Sequence, residues 1–523
     1  MYRSNLYNVF VAIVVALGGF IFGFDASVIS GVVGFVSTEF QLSELQQGFV
    51  VASPTLGAVF GTFVAGPLAD ILGRKKVIII VAGLYVISAA LSALAVTYEM
   101  LVVARMVGGL AFASLVLAPM YIAEISPAKL RGKMISINQF NIVIGISAAY
   151  FTNYYLLQLS QSSSEFIASI GLADNVWRWM LGLELVPAIL FFALLFIIPE
   201  SPRWLITSGK TEKGIKVLNR LFPGQNAQHL VSEIQAQSDT NLPLKSRVSE
   251  LFSGKVRLIL VVGVIVGISQ QITGVNAIYF YAPTIFEQSG IGQNAAFSQA
   301  IWVGLVNVLF TIVAMLLIDR LGRRPLMLIG LAGVAVSMSI AAYGFSQATY
   351  RLTQDSIVEL NNPQLQQSLA PILNKTFESD VEFKNSVIDL IGLQKAQQHQ
   401  STLIQASVQM NPVIILVGIL GFVASFAVSL GPVMWVLLAE IFPNHLRGVG
   451  IALTGLINSA VSFSVQQFFP LQLAMLGTAT TFMIYGGFAI LGFILLYRLL
   501  PETKGLNLEQ LSEAFESQSK KLN

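Results

Sequence analysis

Three side chains in this sequence are suited to holding a proton inside an apolar environment: Asp25 in "GGFIFGFDASVIS", Arg105 in "LVVARMVGG" and Glu184 in "LGLELVP". A carboxylate within a run long enough to cross a bilayer costs on the order of 3 kcal/mol or more. Burial favours the neutral acid and a neighbouring guanidinium favours the carboxylate, so moving the arginine or admitting water switches the acid between its two states. A static ion pair holding the helices together is the alternative use of the same residues. A second set is uncharged. "GISQQITGVNAIYFYAP" places Gln270, Gln271 and Asn276 beside a cluster of aromatic rings. Carboxamides both donate and accept hydrogen bonds without charge. At 100° per residue Gln270 and Asn276 fall about 120° apart on an ideal helix, and Gly274 permits a break that turns them toward one site.

The composition says where these groups must work. Of 523 residues, 55% are hydrophobic and 11% charged, and the mean hydropathy is +0.73. Soluble proteins carry about a quarter charged residues, so this is a polytopic membrane protein. Apolar runs fall near 7–31, 46–69, 77–97, 101–123, 134–157, 178–198, 257–283, 297–318, 325–348, 411–440, 449–470 and 476–500. The first is of spanning length without a small-residue cleavage pattern, so it is expected to remain as a helix. The absence of cysteine excludes disulfides, thiolate metal sites and Cys nucleophiles. His229, His399 and His445 lie in expected loops, where a surface role is the ordinary one. With no metal-ligand cluster, nucleophile–base pair or phosphate loop in the sequence, neither an enzyme nor a cofactor or metal is expected, and nothing points to nucleic acid.

Charge orients the spans. Arg74, Lys75 and Lys76 follow the second run, Lys129, Arg131 and Lys133 the fourth, and Arg320, Arg323 and Arg324 the eighth. Alternate loops carry Glu39, Glu44, Glu99, Asp174 and Glu287 instead. Basic loops stay inside, which puts both termini and the 199–256 linker in the cytoplasm. At 1.5 Å per residue, Asp25 and Glu184 then lie roughly 9 Å from the outer ends of their spans and Arg105 roughly 6 Å, depths that match closely enough for one cluster. The chain also repeats: "GPLADILGRKK" answers "AMLLIDRLGRRP", "AEISPAKLRG" answers "AEIFPNHLRG", and "PESPR" answers "PETKG". Two parallel six-helix repeats are a transporter architecture.

These motifs, with "PESPRWL", "QQITGVNAIYFYAPTIF" and "GPVMWVLLAEIFP", resemble the sugar porter family of the major facilitator superfamily over nearly the whole chain except 349–410. The resemblance implies an all-α membrane protein of twelve transmembrane helices in two six-helix repeats, 1–198 and 257–505. A cytoplasmic helical linker at 199–256 would join them, with a tail at 506–523 whose residues 506–518 form a short helix. It implies a proton-coupled monosaccharide symporter working by alternating access, a monomer in a bacterial inner membrane. The alternatives are a passive facilitator and a transporter-like sugar sensor. Proton-coupled xylose carriers of the family have acids at Asp25 and Glu184 and arginine at Arg105, whereas passive glucose carriers lack the acids. By position, the resemblance gives sugar contacts at Phe22, Gln139, Gln270, Gln271, Asn276, Asn307, Trp435 and Asn458, and an outer gate at Phe280 and Tyr281. Ser459 stands where the family carries tryptophan, and Ile146 where the xylose carriers have glutamine, which leans toward a hexose. The repeated motifs, Asp70, Arg74, Glu124, Arg131, Glu200 and Arg203 against Asp319, Arg323, Glu440 and Arg447, form a cytoplasmic salt-bridge network that holds the inside closed. The segment 349–410 is foreign to the family; it reads as a tolerated loop insertion, with an external helical pair, a lid or a partner site as alternatives, and Asn374-Lys375-Thr376 is a glycosylation sequon by pattern.

Overall fold

A bilayer core offers no water to backbone N–H and C=O groups, so apolar runs of spanning length close their hydrogen bonds as helices. The computed structural model describes residues 2–127, 130–223, 226–236, 244–253, 256–358, 360, 362–443, 445–505 and 510. Among them, twelve helices are long and apolar enough to cross a membrane: Leu6–Glu39, Glu44–Leu72, Arg74–Ala93, Tyr98–Ile125, Arg131–Ser160, Val176–Leu194, Arg257–Glu287, Gln293–Leu321, Arg323–Ser346, Pro412–Ile441, Arg447–Leu476 and Thr478–Leu499. They are spans one to twelve in chain order. Span one runs eight residues beyond the apolar stretch that announces it, because polar Ser37 and Thr38 carry no stop signal and the helix ends only before Gln41, at φ 52°. Single glycines at 73, 322 and 477, with φ of 103°, 94° and 77°, turn the chain between spans two and three, eight and nine, and eleven and twelve. Lys129 and, apart from Gln510, the tail helix expected at 506–518 lie outside the described residues.

Contacts group the chain into two units. One holds Met1–Val28, Ser53–Thr152 and Ser163–Pro243; the other holds Ile29–Ala52, Asn153–Ser162 and Leu244–Asn523. The first unit packs spans one to six around Tyr85, Leu117, Tyr121 and Phe191. It also carries linker helices Pro202–Thr207, Thr211–Leu221 and Ala227–Ala236, whose apolar stripes meet at Ile206, Leu218 and Val231. The far ends of spans one, two and five belong to the second unit. A Cβ on Gly48 would stand 2.0 Å from the Gln467 carbonyl oxygen, Gln467 Nε2 donates to the Leu45 carbonyl at 2.8 Å, and Gln158 and Gln161 donate to Asn294 Oδ1. This grouping cuts across the repeat boundary read from sequence, because close packing at these ends outweighs chain order.

The 349–410 segment departs most from expectation. It is neither a bare loop nor a helical pair but a small α/β body, and so an exception to an all-α chain. Strands β1 (Thr349–Arg351), β2 (Thr376–Phe377) and β3 (Val408–Gln409) form an antiparallel sheet in the order β2-β1-β3. Among the described residues, five short α-helices and a 3-10 turn at Ala370–Ile372 surround it, Asp380–Ile391 being the longest. Its own core stacks Tyr350 on Phe383 at 5.6 Å, with Phe377 edge-on at 5.7 Å.

Candidate functional site

Glycine sets the position of Asp25. A Cβ on Gly23 would lie 2.0 Å from the Ile142 carbonyl oxygen, and one on Gly145 would lie 2.1 Å from that of Phe20. Spans one and five therefore touch backbone to backbone, the close approach that small residues permit in membranes. Asp25, Arg105 and Glu184 are 0%, 1% and 2% exposed. Arg105 Nη1 donates to Asp25 Oδ1, and both terminal nitrogens lie 3.2 Å from the Asp25 carbonyl oxygen. Glu184 stands where span six breaks between helices Val176–Gly182 and Leu185–Leu194. Pro187 has no N–H for the Leu183 carbonyl, which instead accepts from Val186 at 3.2 Å.

Asp25 Oδ2, Arg105 Nε and Glu184 Oε1 are buried without a hydrogen-bond partner among the described residues. Around them Tyr85 and Ser114 share a hydroxyl contact of 2.9 Å, and Ser88 donates to the Ala104 carbonyl. With both acids ionised the cluster carries a formal charge of −1, and one added proton brings it to zero. In a dry interior that difference is large, since an unpaired buried charge is expensive.

The second unit holds a network of amides. Span seven breaks at Gly274, which takes the left-handed conformation at φ 92° and leaves its missing Cβ 2.6 Å from the Tyr485 ring. Asn276 on the far side of the break donates to Gln271 Oε1 at 2.8 Å and to Ser462 Oγ at 2.6 Å. Gln271 donates to Asn458 Oδ1 at 3.2 Å. Asn458 donates to Gln270 Oε1 at 2.8 Å and to the Gly267 carbonyl at 2.9 Å. Gln270 in turn donates to the Leu430 carbonyl at 3.0 Å. The structure thus brings Gln270, Gln271, Asn276 and Asn458 together. Trp435 is 46% exposed and approaches Gly455, one turn before Asn458 on the same helix face. Asn307 is buried on span eight but has no hydrogen bond to this network among the described residues.

Phe22 and Gln139 lie in the first unit, where Phe22 meets Phe112 edge-on at 4.6 Å. Tyr281 is buried with non-helical backbone angles and donates to the Gln466 carbonyl at 3.1 Å; Phe280 beside it is half-buried. Two members of the network, Ser462 and Gln466, were missed from sequence. They follow Asn458 at intervals of four, the spacing of one helix face, so the signal was present.

The repeated motifs close two matching clusters, each inside its own unit. Arg74 pairs with Asp70 at 2.8 Å and Glu124 at 3.2 Å; Arg323 pairs with Asp319 at 3.4 Å and Glu440 at 2.7 Å. Ser201 donates to Glu124 as Thr503 donates to Glu440. Glu200 pairs with no arginine among the described residues. It caps span three by accepting from Lys75 N at 2.9 Å, just as Glu502, absent from the sequence reading, caps span nine through Arg323 N and Arg324 N. A carboxylate is favoured there by the helix dipole. Arg131 and Arg203 are exposed and Arg447 is half-buried. None of these three joins an ion pair among the described residues, so the network is narrower here than expected.

With this geometry in view, the likeness to known proteins is specific. The family model described as "Sugar (and other) transporter" matches residues 11–358 and 395–515. An arabinose-proton symporter of Bacillus subtilis (strain 168) is 33% identical, the match covering 98% of this chain and 96% of that protein. A D-xylose-proton symporter of Escherichia coli (strain K12) is 32% identical over 99% and 98%. The inward-open structure of the xylose transporter from E. coli superposes with a TM-score of 0.73 at 29% identity, covering 97% of this chain and 99% of that one. The twelve spans, the doubled motifs and these matches agree: the chain belongs to the sugar transporter family of the major facilitator superfamily.

Proposed function

We propose that the protein is a proton-coupled monosaccharide symporter working by alternating access, as a monomer, in a bacterial inner membrane with both termini in the cytoplasm. The observation that carries this reading is the buried Asp25–Arg105 pair with Glu184 held nearby, a cluster that one proton neutralises. Asp25 binds the proton, Arg105 competes for the carboxylate and gates release, and Glu184 assists. The relatives named as proton symporters for arabinose and xylose support coupling and the substrate class. The amides Gln270, Gln271, Asn276 and Asn458 supply paired donors and acceptors for hydroxyls, with Phe22, Gln139, Asn307 and Trp435 completing the contacts and Phe280 and Tyr281 gating the outer side. The repeats 1–198 and 257–505 are the bodies that rock, joined by the 199–256 linker.

Asp25→Asn tests the reading. The variant is expected to lose accumulation of sugar against a gradient while keeping sugar–sugar counterflow, because exchange needs no net proton movement. Accumulation at the wild-type level would remove Asp25 from the coupling step and leave passive carriage.

A further inference from the structure

The insert roofs a chamber of about 220 Å³ in the second unit, and Tyr281 lines it. Tyr281 donates to the Gln466 carbonyl, Gln466 donates to Ser462, and Ser462 accepts from Asn276. A chain of contacts therefore runs from the chamber wall into the amide network. We infer that this chamber is an outer binding site for one neutral, monosaccharide-sized polyol, occupied before the Tyr281 gate is passed; the inference rests on the substrate reading above.

Charge and chemistry select the ligand class. Among the described residues, the charged side chains lining the chamber are Glu44 and Lys384. Lys384 is already held by Gln288 Oε1 at 2.8 Å and Asp380 Oδ2 at 3.2 Å, so little cationic pull remains. What the walls offer besides is uncharged: the carboxamides of Gln47, Asn385, Gln397 and Gln400. Amides take hydroxyls as donors or acceptors. The volume is below the roughly 300–1,000 Å³ of sites for drug-sized ligands, which limits the occupant to one small solute.

Asn385 is exposed and stands at the rim, giving access from solution. The family model leaves out 359–394, the stretch that supplies Phe383, Lys384 and Asn385. The chamber therefore forms where this chain's insert meets the transporter body, which supplies Glu44, Gln47, Tyr281 and Gln288.

The cysteine-free chain permits a direct test. In Asn385→Cys, alkylation by a membrane-impermeant maleimide reports the rim alone. With arabinose, xylose or glucose at roughly ten times its Kd, alkylation is expected to slow about ten-fold, whereas sucrose, too large for the chamber, leaves it unchanged. Protection is expected to persist when Asn458→Ala or Gln271→Ala breaks the inner network. The inference is overturned if none of the three sugars slows alkylation, if sucrose slows it equally, or if both inner variants abolish protection. Uptake measured on the same cells keeps the two readings apart. Uptake without protection removes the chamber and leaves the transport reading standing, while wild-type cells that take up none of the three sugars overturn the transport reading itself.

Discussion

Asn458 ties span eleven to span seven by three hydrogen bonds: it donates to Gln270 and to the Gly267 carbonyl, and accepts from Gln271. Each buried partner left unsatisfied costs about 1–3 kcal/mol, so Asn458→Ala is expected to weaken apparent sugar affinity on the order of ten- to a hundredfold, measured as KM in uptake. Gly108 packs under the Asp25–Arg105 pair, where a Cβ would meet Ser88 Oγ at 2.5 Å and Asp25 Oδ2 at 2.9 Å. Gly108→Ala should destabilise the fold by about 1–3 kcal/mol through overpacking, and a lowered Tm of the purified protein checks it. At this scale Asp25, Arg105 and Glu184 were legible because depth follows from counting residues along a helix. Their orphaned atoms were not, since pairing depends on rotamers and on the break at Pro187. Tyr85 and Ser88 gave no signal either, being ordinary polar residues in an apolar span until span three is packed against its neighbours.

Span seven works through its break. Gly274→Ala would force an L side chain into the left-handed region, at about 1–2 kcal/mol, and drive its Cβ toward the Tyr485 ring. Loss of sugar binding should therefore exceed the loss of Tm that the strain alone produces. The insert holds its neighbours unequally. Buried Asp380 accepts from Thr478 N and Oγ1 on span twelve, whereas the turn after span one is met by an exposed contact from Gln394 to Gln41 and by Gln397 Nε2 on the Leu42 carbonyl at 3.3 Å. If alternating access parts these ends, a short bismaleimide bridging Gln41→Cys to Gln394→Cys should stop uptake. The break at Gly274 was legible from a glycine beside adjacent amides. The insert's sheet was not, because strands of two or three residues carry no periodicity and owe their form to the Tyr350–Phe383 core.

Across the whole molecule the repeat is visible both as sequence and as two matching clusters, Arg74 with Glu124 and Arg323 with Glu440. Paired strings such as "LADILGRKK" and "LIDRLGRRP" carry the correspondence; the Glu200 and Glu502 caps leave no such trace, since a helix N-terminus recruits its carboxylate from a distant turn. If the proposed coupling holds, sugar moves with a proton that neutralises the Asp25 cluster. Its direct measurement is the pH outside de-energised cells or proteoliposomes when sugar is added with no imposed gradient. We expect prompt alkalinisation, absent in Asp25→Asn. Sugar entry with no change of external pH in the wild type would contradict coupling and leave a passive carrier whose buried ion pair is structural.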